Sequence, residues 1–110
     1  MVALPPSYQD SLDDYSARLR RRFGDRVRFV RLFGSWARGE ATADSDIDVA
    51  TVIEGLTRDE WRAALSLAAE VELDGGEPLS VFAVSGERFD ELLSRERRIA
   101  QDILAEGVPL

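Results

Sequence analysis

Residues 32–50 read LFGSWARGEATADSDIDVA, and two short pieces of that stretch decide the fold: Gly34-Ser35 and Asp46-Ile47-Asp48. The first piece ends the β-rich run Val27–Phe33, so it reads as a strand entering a tight turn. The second opens Asp46–Ile53, an alternating and β-branched run that reads as a second strand. Residues 36–45 between them are small, polar or charged and suit a loop or one short helical turn. Strand alternation puts Asp46 and Asp48 on one face, roughly 6.5–7 Å apart along it, and turns Ile47 and Val49 into the core. A slip of one residue would bury both charges, so the register is pinned.

Two carboxylates held that closely repel, and they call for water or for a cation between them. A hard divalent ion with oxygen ligands suits them, magnesium or manganese foremost, its shell completed by water and by phosphate oxygens. Gly34 and Ser35 offer backbone N–H groups and a hydroxyl to those phosphates, and Arg38 adds a fork-shaped cation. Taken singly, each piece has an ordinary reading as a turn, a solvated strand end or a surface charge. Their spacing between two strands is what makes a candidate site.

Outward from this stretch the chain alternates helices and strands. Tyr8, Leu12, Tyr15, Leu19 and Phe23 recur at spacings of 4, 3, 4 and 4, one helix face, with Gly24 as its stop. Thr57-Arg-Asp-Glu60 is a capping box. Behind it Trp61, Ala64, Leu65, Ala68 and Val71 form an apolar stripe, closed by Asp74-Gly75-Gly76. Pro78 precedes a third strand, Leu79–Val84, and Phe89, Leu92, Leu93, Ile99, Ile103 and Leu104 mark a last helix ending near Gly107 and Pro109. The order α-β-β-α-β-α predicts an α+β fold, a small mixed sheet of about three strands backed by helices. Residues 1–110 are expected to form a single domain.

Composition narrows the chemistry. The 110 residues are 45% hydrophobic and 32% charged, with a formal net charge of −7, which disfavours nucleic acid or anionic lipid held by bulk electrostatics. Cys, His and Lys are all absent, which excludes disulfides, thiolate or Ser-His catalysis, Schiff bases and zinc held by Cys or His. Any metal is therefore held by oxygen. The N-terminal segment has no basic and apolar leader pattern, and no apolar run approaches ~18 residues. The expectation is a cytoplasmic protein with no membrane association and no direct nucleic-acid binding.

The motif-bearing stretch, residues 32–50, resembles the nucleotidyltransferase signature of the DNA polymerase beta superfamily: Gly-Ser, ten residues, then Asp-x-Asp. The fuller string is similar to the minimal nucleotidyltransferase group. That resemblance implies the polymerase-beta-like fold and transfer of a nucleoside monophosphate, AMP from ATP, with magnesium or manganese as cofactor. Gly34 and Ser35 would then grip the β- and γ-phosphates with Arg38 beside them, and Asp46 and Asp48 would be the catalytic, metal-holding pair. In the family a third carboxylate, on the strand after the intervening helix, completes the site. Aligning Pro78-Leu79-Ser80-Val81 with that strand puts Ser80 at the third position, a departure from the pattern, with Glu77 close by as a substitute ligand.

Minimal members pair with HEPN-domain toxins as antitoxins and can add AMP to a tyrosine hydroxyl of the partner. The resemblance therefore implies a partner-modifying antitoxin. The alternative is a catalytically impaired, nucleotide-binding antitoxin that acts by complex formation alone. A third reading is a small-molecule transferase with its acceptor site between two subunits. Trp36 either stacks on a base or plugs the sheet edge. Arg18, Arg20, Arg21 and Arg22 form a docking patch or a solvated face. Glu70, Glu72 and Asp74 read as surface charge, and Tyr8 and Tyr15 as core.

Overall fold

A computed structural model describes residues 3–110; Met1 and Val2, the start of the expected domain span, lie outside them. Helix α1 (Pro6–Phe23) begins with proline in its first turn, where a missing N–H costs nothing, and stops at Gly24. It buries the face foreseen from its spacing: Leu12, Tyr15, Leu19 and Phe23. A 3₁₀ turn leads into β1 (Val27–Phe33), followed by a one-turn helix α2 (Ser35–Arg38), β2 (Asp48–Ile53) and α3 (Arg58–Leu73). Strand β3 (Ser80–Ser85), α4 (Gly86–Ser94), α5 (Arg98–Glu106) and β4 (Val108–Pro109) complete the chain.

The sheet has four strands in the order β3-β2-β1-β4. β1 runs antiparallel to β2 and β4, while β2 and β3 are parallel, joined by α3. One face carries Val30, Leu32, Val49, Ile53 and Ala83 against α1 and α3. The other carries Ala50 and Val52, flanked by Phe29, Phe33, Phe82 and Val84, against Phe89, Leu92, Ala100 and Ile103 of α4 and α5. The α+β class and mixed sheet are as expected, with helices on both faces.

Four details correct the sequence reading. The last helix is two: the chain turns at Glu96, a non-glycine residue with φ 54°, so that α4 and α5 can both reach the second sheet face. The added strand β4 pairs with Arg31 and Leu32. β2 begins at Asp48 instead of Asp46, because β1 ends at Phe33, opposite Asp48, and leaves the two preceding residues no partner on that side. Trp61, placed on the buried stripe of α3, is 41% exposed, and the buried line is Ala64, Ala68 and Val71.

The capping box is present as foreseen. The Glu60 amide donates to Thr57 Oγ1 (3.2 Å), and Glu60 Oε1 accepts from the Thr57 amide (3.1 Å). Both Glu60 oxygens also accept from Arg26 at 2.7 Å, and that pairing, with the Thr57 amide, holds its carboxyl down at about 2. Tyr15 is fully buried and its hydroxyl donates to the Ala64 carbonyl at 3.1 Å. Burial pushes the phenol up to about 12. The unfolded chain ionises Tyr15 near its ordinary value of 10, so the contribution of this phenol to stability is lost as pH rises from there toward 12. Tyr15→Phe should cost about 1 kcal/mol near neutral pH and flatten the alkaline limb of the stability curve, read by denaturant melts from pH 7 to about 11. Among the described residues no helix is long and apolar enough to cross a membrane.

Candidate active site

The chain leaves β1 through Gly34, whose φ of 77° and ψ of −155° suit glycine alone. A Cβ there would overlap Asp48 Oδ2 and stand 3.1 Å from its Cγ. The glycine backbone therefore rests directly on the Asp48 carboxylate. Helix α2 starts at once, and its first internal bond runs from the Arg38 N–H to the Gly34 carbonyl (3.1 Å). The amides of Ser35, Trp36 and Ala37 precede that bond and are free of the helix's own ladder. Gly39, left-handed at φ 72°, closes the turn.

Trp36 packs between α1 and the loop after α2. Its indole N–H donates to the Ser45 carbonyl (3.4 Å), and its ring meets Tyr8 edge-on with centroids 5.3 Å apart. The loop beneath is braced by Thr42 and Ser45, the Thr42 amide donating to Ser45 Oγ at 2.9 Å. This links the Gly-Ser turn to the segment that carries the two aspartates.

Asp46 is exposed, Ile47 buried, Asp48 half-buried and Val49 fully buried, so the expected alternation holds. Ser80 stands directly opposite Asp48 in the parallel β2–β3 register, and its amide donates to the Ile47 carbonyl at 2.9 Å. Burial raises the Asp48 carboxyl above its ordinary value, the charge of Asp46 raises it further, and the Ser80 hydroxyl and Arg38 pull the other way. Asp46, Ile47, Pro78, Leu79 and Ser80 line an open groove of about 330 Å³.

Arg38 lies near enough to act on Asp48, but its guanidinium is engaged by Glu40 (3.1 Å) and by Glu106 of α5 (3.3 Å). Glu106 was invisible to the sequence reading, because nothing in the local pattern links residues so far apart. Glu77 does not join the aspartates. Its amide is bound by Ser11 Oγ at 2.9 Å, and among the described residues no three acidic side chains gather as metal ligands. Arg18 is neither a docking patch nor merely solvated: held by Asp14 of its own helix (2.9 Å), it bridges α1 to Glu70 of α3 (3.5 Å) and to Asp74 at the end of that helix (2.6 Å).

A model of the nucleotidyltransferase domain matches residues 12–104. The chain belongs to the nucleotidyltransferase domain family. Within this nucleotidyltransferase domain, 47 residues are 36% identical to MJ1305 of Methanocaldococcus jannaschii, a candidate protein adenylyltransferase. That match covers 43% of this chain and 32% of the relative, so it spans about a third of the relative's length. Among solved structures, a chain of a toxin–antitoxin complex with AMP-PNP superposes with a TM-score of 0.53 over 88% of this chain and 70% of that one, at 23% identity. A variant of the toxin–antitoxin MntA-HpeT gives 0.53 over 89% and 70%, at 25% identity. At such identity the first of these is a likeness of fold.

Proposed function

We propose that this nucleotidyltransferase domain moves AMP from ATP to a hydroxyl of a partner protein, and that it serves as the antitoxin of a HEPN-domain toxin. The observation that carries the reading is the seating of Gly34 on the Asp48 carboxylate. It joins a turn whose free amides suit phosphates to a carboxylate pair that suits a cation. The protein adenylyltransferase relative and the toxin–antitoxin neighbours, one with AMP-PNP, support the choice of reaction and partner.

Magnesium or manganese fits the donors present. They are oxygens only, the carboxylates of Asp46 and Asp48 with the Ser80 hydroxyl beside them, and burial together with Asp46 penalises the Asp48 charge that a cation would relieve. Bound there, the metal supplies stabilisation of charge on the phosphate oxygens and the leaving group. The chain does the rest. Ser35 and the amides of residues 35–37 hold the β- and γ-phosphates, and Arg38 joins them by exchanging Glu40 or Glu106 for a phosphate oxygen. The acceptor hydroxyl oxygen attacks the α-phosphorus in line. A new P–O bond forms as the α–β bridging P–O bond breaks, and pyrophosphate departs with the electron pair. The hydroxyl proton passes to water in the groove, because Ser80 is no base at neutral pH.

One observation favours a second reading, a nucleotide-binding antitoxin that acts by contact alone: the residue opposite Asp48 is a serine where the family places a carboxylate. Incubation with labelled ATP, magnesium and cell lysate separates the two. One labelled protein band is the expected result. Nucleotide bound without any transferred label supports the contact-only antitoxin, and a labelled metabolite in place of a protein overturns the protein acceptor.

A further inference from the structure

Strand β3 is an outer strand of the sheet, and its sequence, SVFAVS, carries no charge and no proline. Outer strands ordinarily bear Lys, Pro or bulges that discourage pairing. The Ser80 amide points to β2, so by alternation Phe82 and Val84 do too, while Val81 and Ala83 turn their N–H and C=O groups outward; Ser85, the N-cap of α4, gives its carbonyl to that helix.

Above this edge runs the flank of α3 that faces away from α1. Arg18 of α1 grips Glu70 and Asp74, which fixes the opposite flank as Arg58, Trp61, Leu65, Ala69 and Glu72. Trp61 is 41% exposed, and Leu73, at the outer rim of this flank, is 84% exposed. Among the described residues neither Arg58 nor Glu72 has an ion-pair partner, and they sit at opposite ends of the flank.

We infer that this edge and flank form the interface of a two-fold dimer with a second copy of the chain. A two-fold axis at Ala83 makes β3 antiparallel to its copy, lets the two Ala83 residues exchange N–H···O bonds, sets Val81 opposite Ser85, and places Phe82 beside Val84, a favourable aromatic and β-branched pair. The two α3 helices then lie antiparallel, two strand spacings or about 10 Å apart, the separation of packed helices. Leu65 meets its own copy at the centre, Trp61 of each copy meets Ala69 of the other, and Arg58 of each copy meets Glu72 of the other. An isologous interface must be self-complementary, and this flank is: cationic at one end, anionic at the other, apolar between.

Sedimentation of the intact chain from low to high micromolar concentration tests the dimer. Trp61→Ser and Glu72→Arg should each weaken it, Trp61→Ser by about tenfold or more. Adding Arg58→Glu to Glu72→Arg should restore it. Both charge changes favour the helix ends they occupy, so folding is not at risk. In the dimer the Ala83 amide should exchange hydrogen slowly, and on dilution to monomer quickly, while Phe82 and Val84 stay protected in both. A chain that is monomeric at every concentration overturns the inference. So does a dimer indifferent to Glu72→Arg, or one whose Ala83 amide exchanges freely.

Discussion

Asp46→Asn and Asp48→Asn should each abolish the rise in melting temperature that magnesium and ATP give the wild-type chain. A ligand at about a hundredfold its Kd stabilises by about 2.7 kcal/mol, roughly 10 °C for a domain of this size. Loss of that shift is therefore easily read. The ligand-free variants should melt no lower than wild type. The sign follows from Asp48, whose carboxyl is raised, first by burial and then by Asp46. Its fold favours the protonated form, so stability declines as pH climbs through the ordinary carboxylate range and toward the raised value. Asp48→Asn removes that decline and should stabilise the ligand-free chain at pH 7 and leave it unchanged in acid. Two variants that keep the full ligand-induced shift would end the assignment of these aspartates to the metal and nucleotide.

Ser80→Asp carries the other large effect. The register sets residue 80 directly opposite Asp48, at the mouth of the groove that Asp46 lines. A carboxylate there supplies both a base and a further charge for a cation. General-base help contributes ~10²–10⁴-fold, so transfer of labelled AMP to the partner should rise by about 10²-fold or more. The same change adds a third negative charge, so the ligand-free variant should melt lower and recover more on adding magnesium. A variant as inert as wild type, with nucleotide demonstrably bound, would place the protein among antitoxins that act by contact. Fast wild-type transfer that disappears in Glu77→Gln would show that Glu77 reaches the site despite its amide being tied to Ser11.

Much of this was legible in the sequence because it rests on local periodicity. The Tyr8–Phe23 spacing gave α1, Thr57 and Glu60 gave the start of α3, and alternation around Ile47 and Val49 set the faces of the aspartates. What was not legible rests on long-range contact. β4 is two residues, one of them proline, and exists only because Arg31 and Leu32 offer it partners. The break at Glu96 needs a positive φ that no glycine announces. Trp61 belongs to the apolar stripe by spacing, yet it lies on the flank of α3 that turns away from α1 and stays 41% exposed. Arg38 lies near the turn, and its pairing with Glu106 depends on where α5 docks, which no local pattern announces.

The contact between Gly34 and Asp48 also shapes how the protein tolerates change. Position 34 has no functional group to lose, yet every side chain but hydrogen would displace the carboxylate beneath it. A saturation scan scored on nucleotide binding should thus find Gly34 as intolerant as Asp48 and both less forgiving than Ser35, which keeps its backbone donors as alanine. An inherited replacement at Gly34 would look like a neutral loop change and behave like the loss of Asp48.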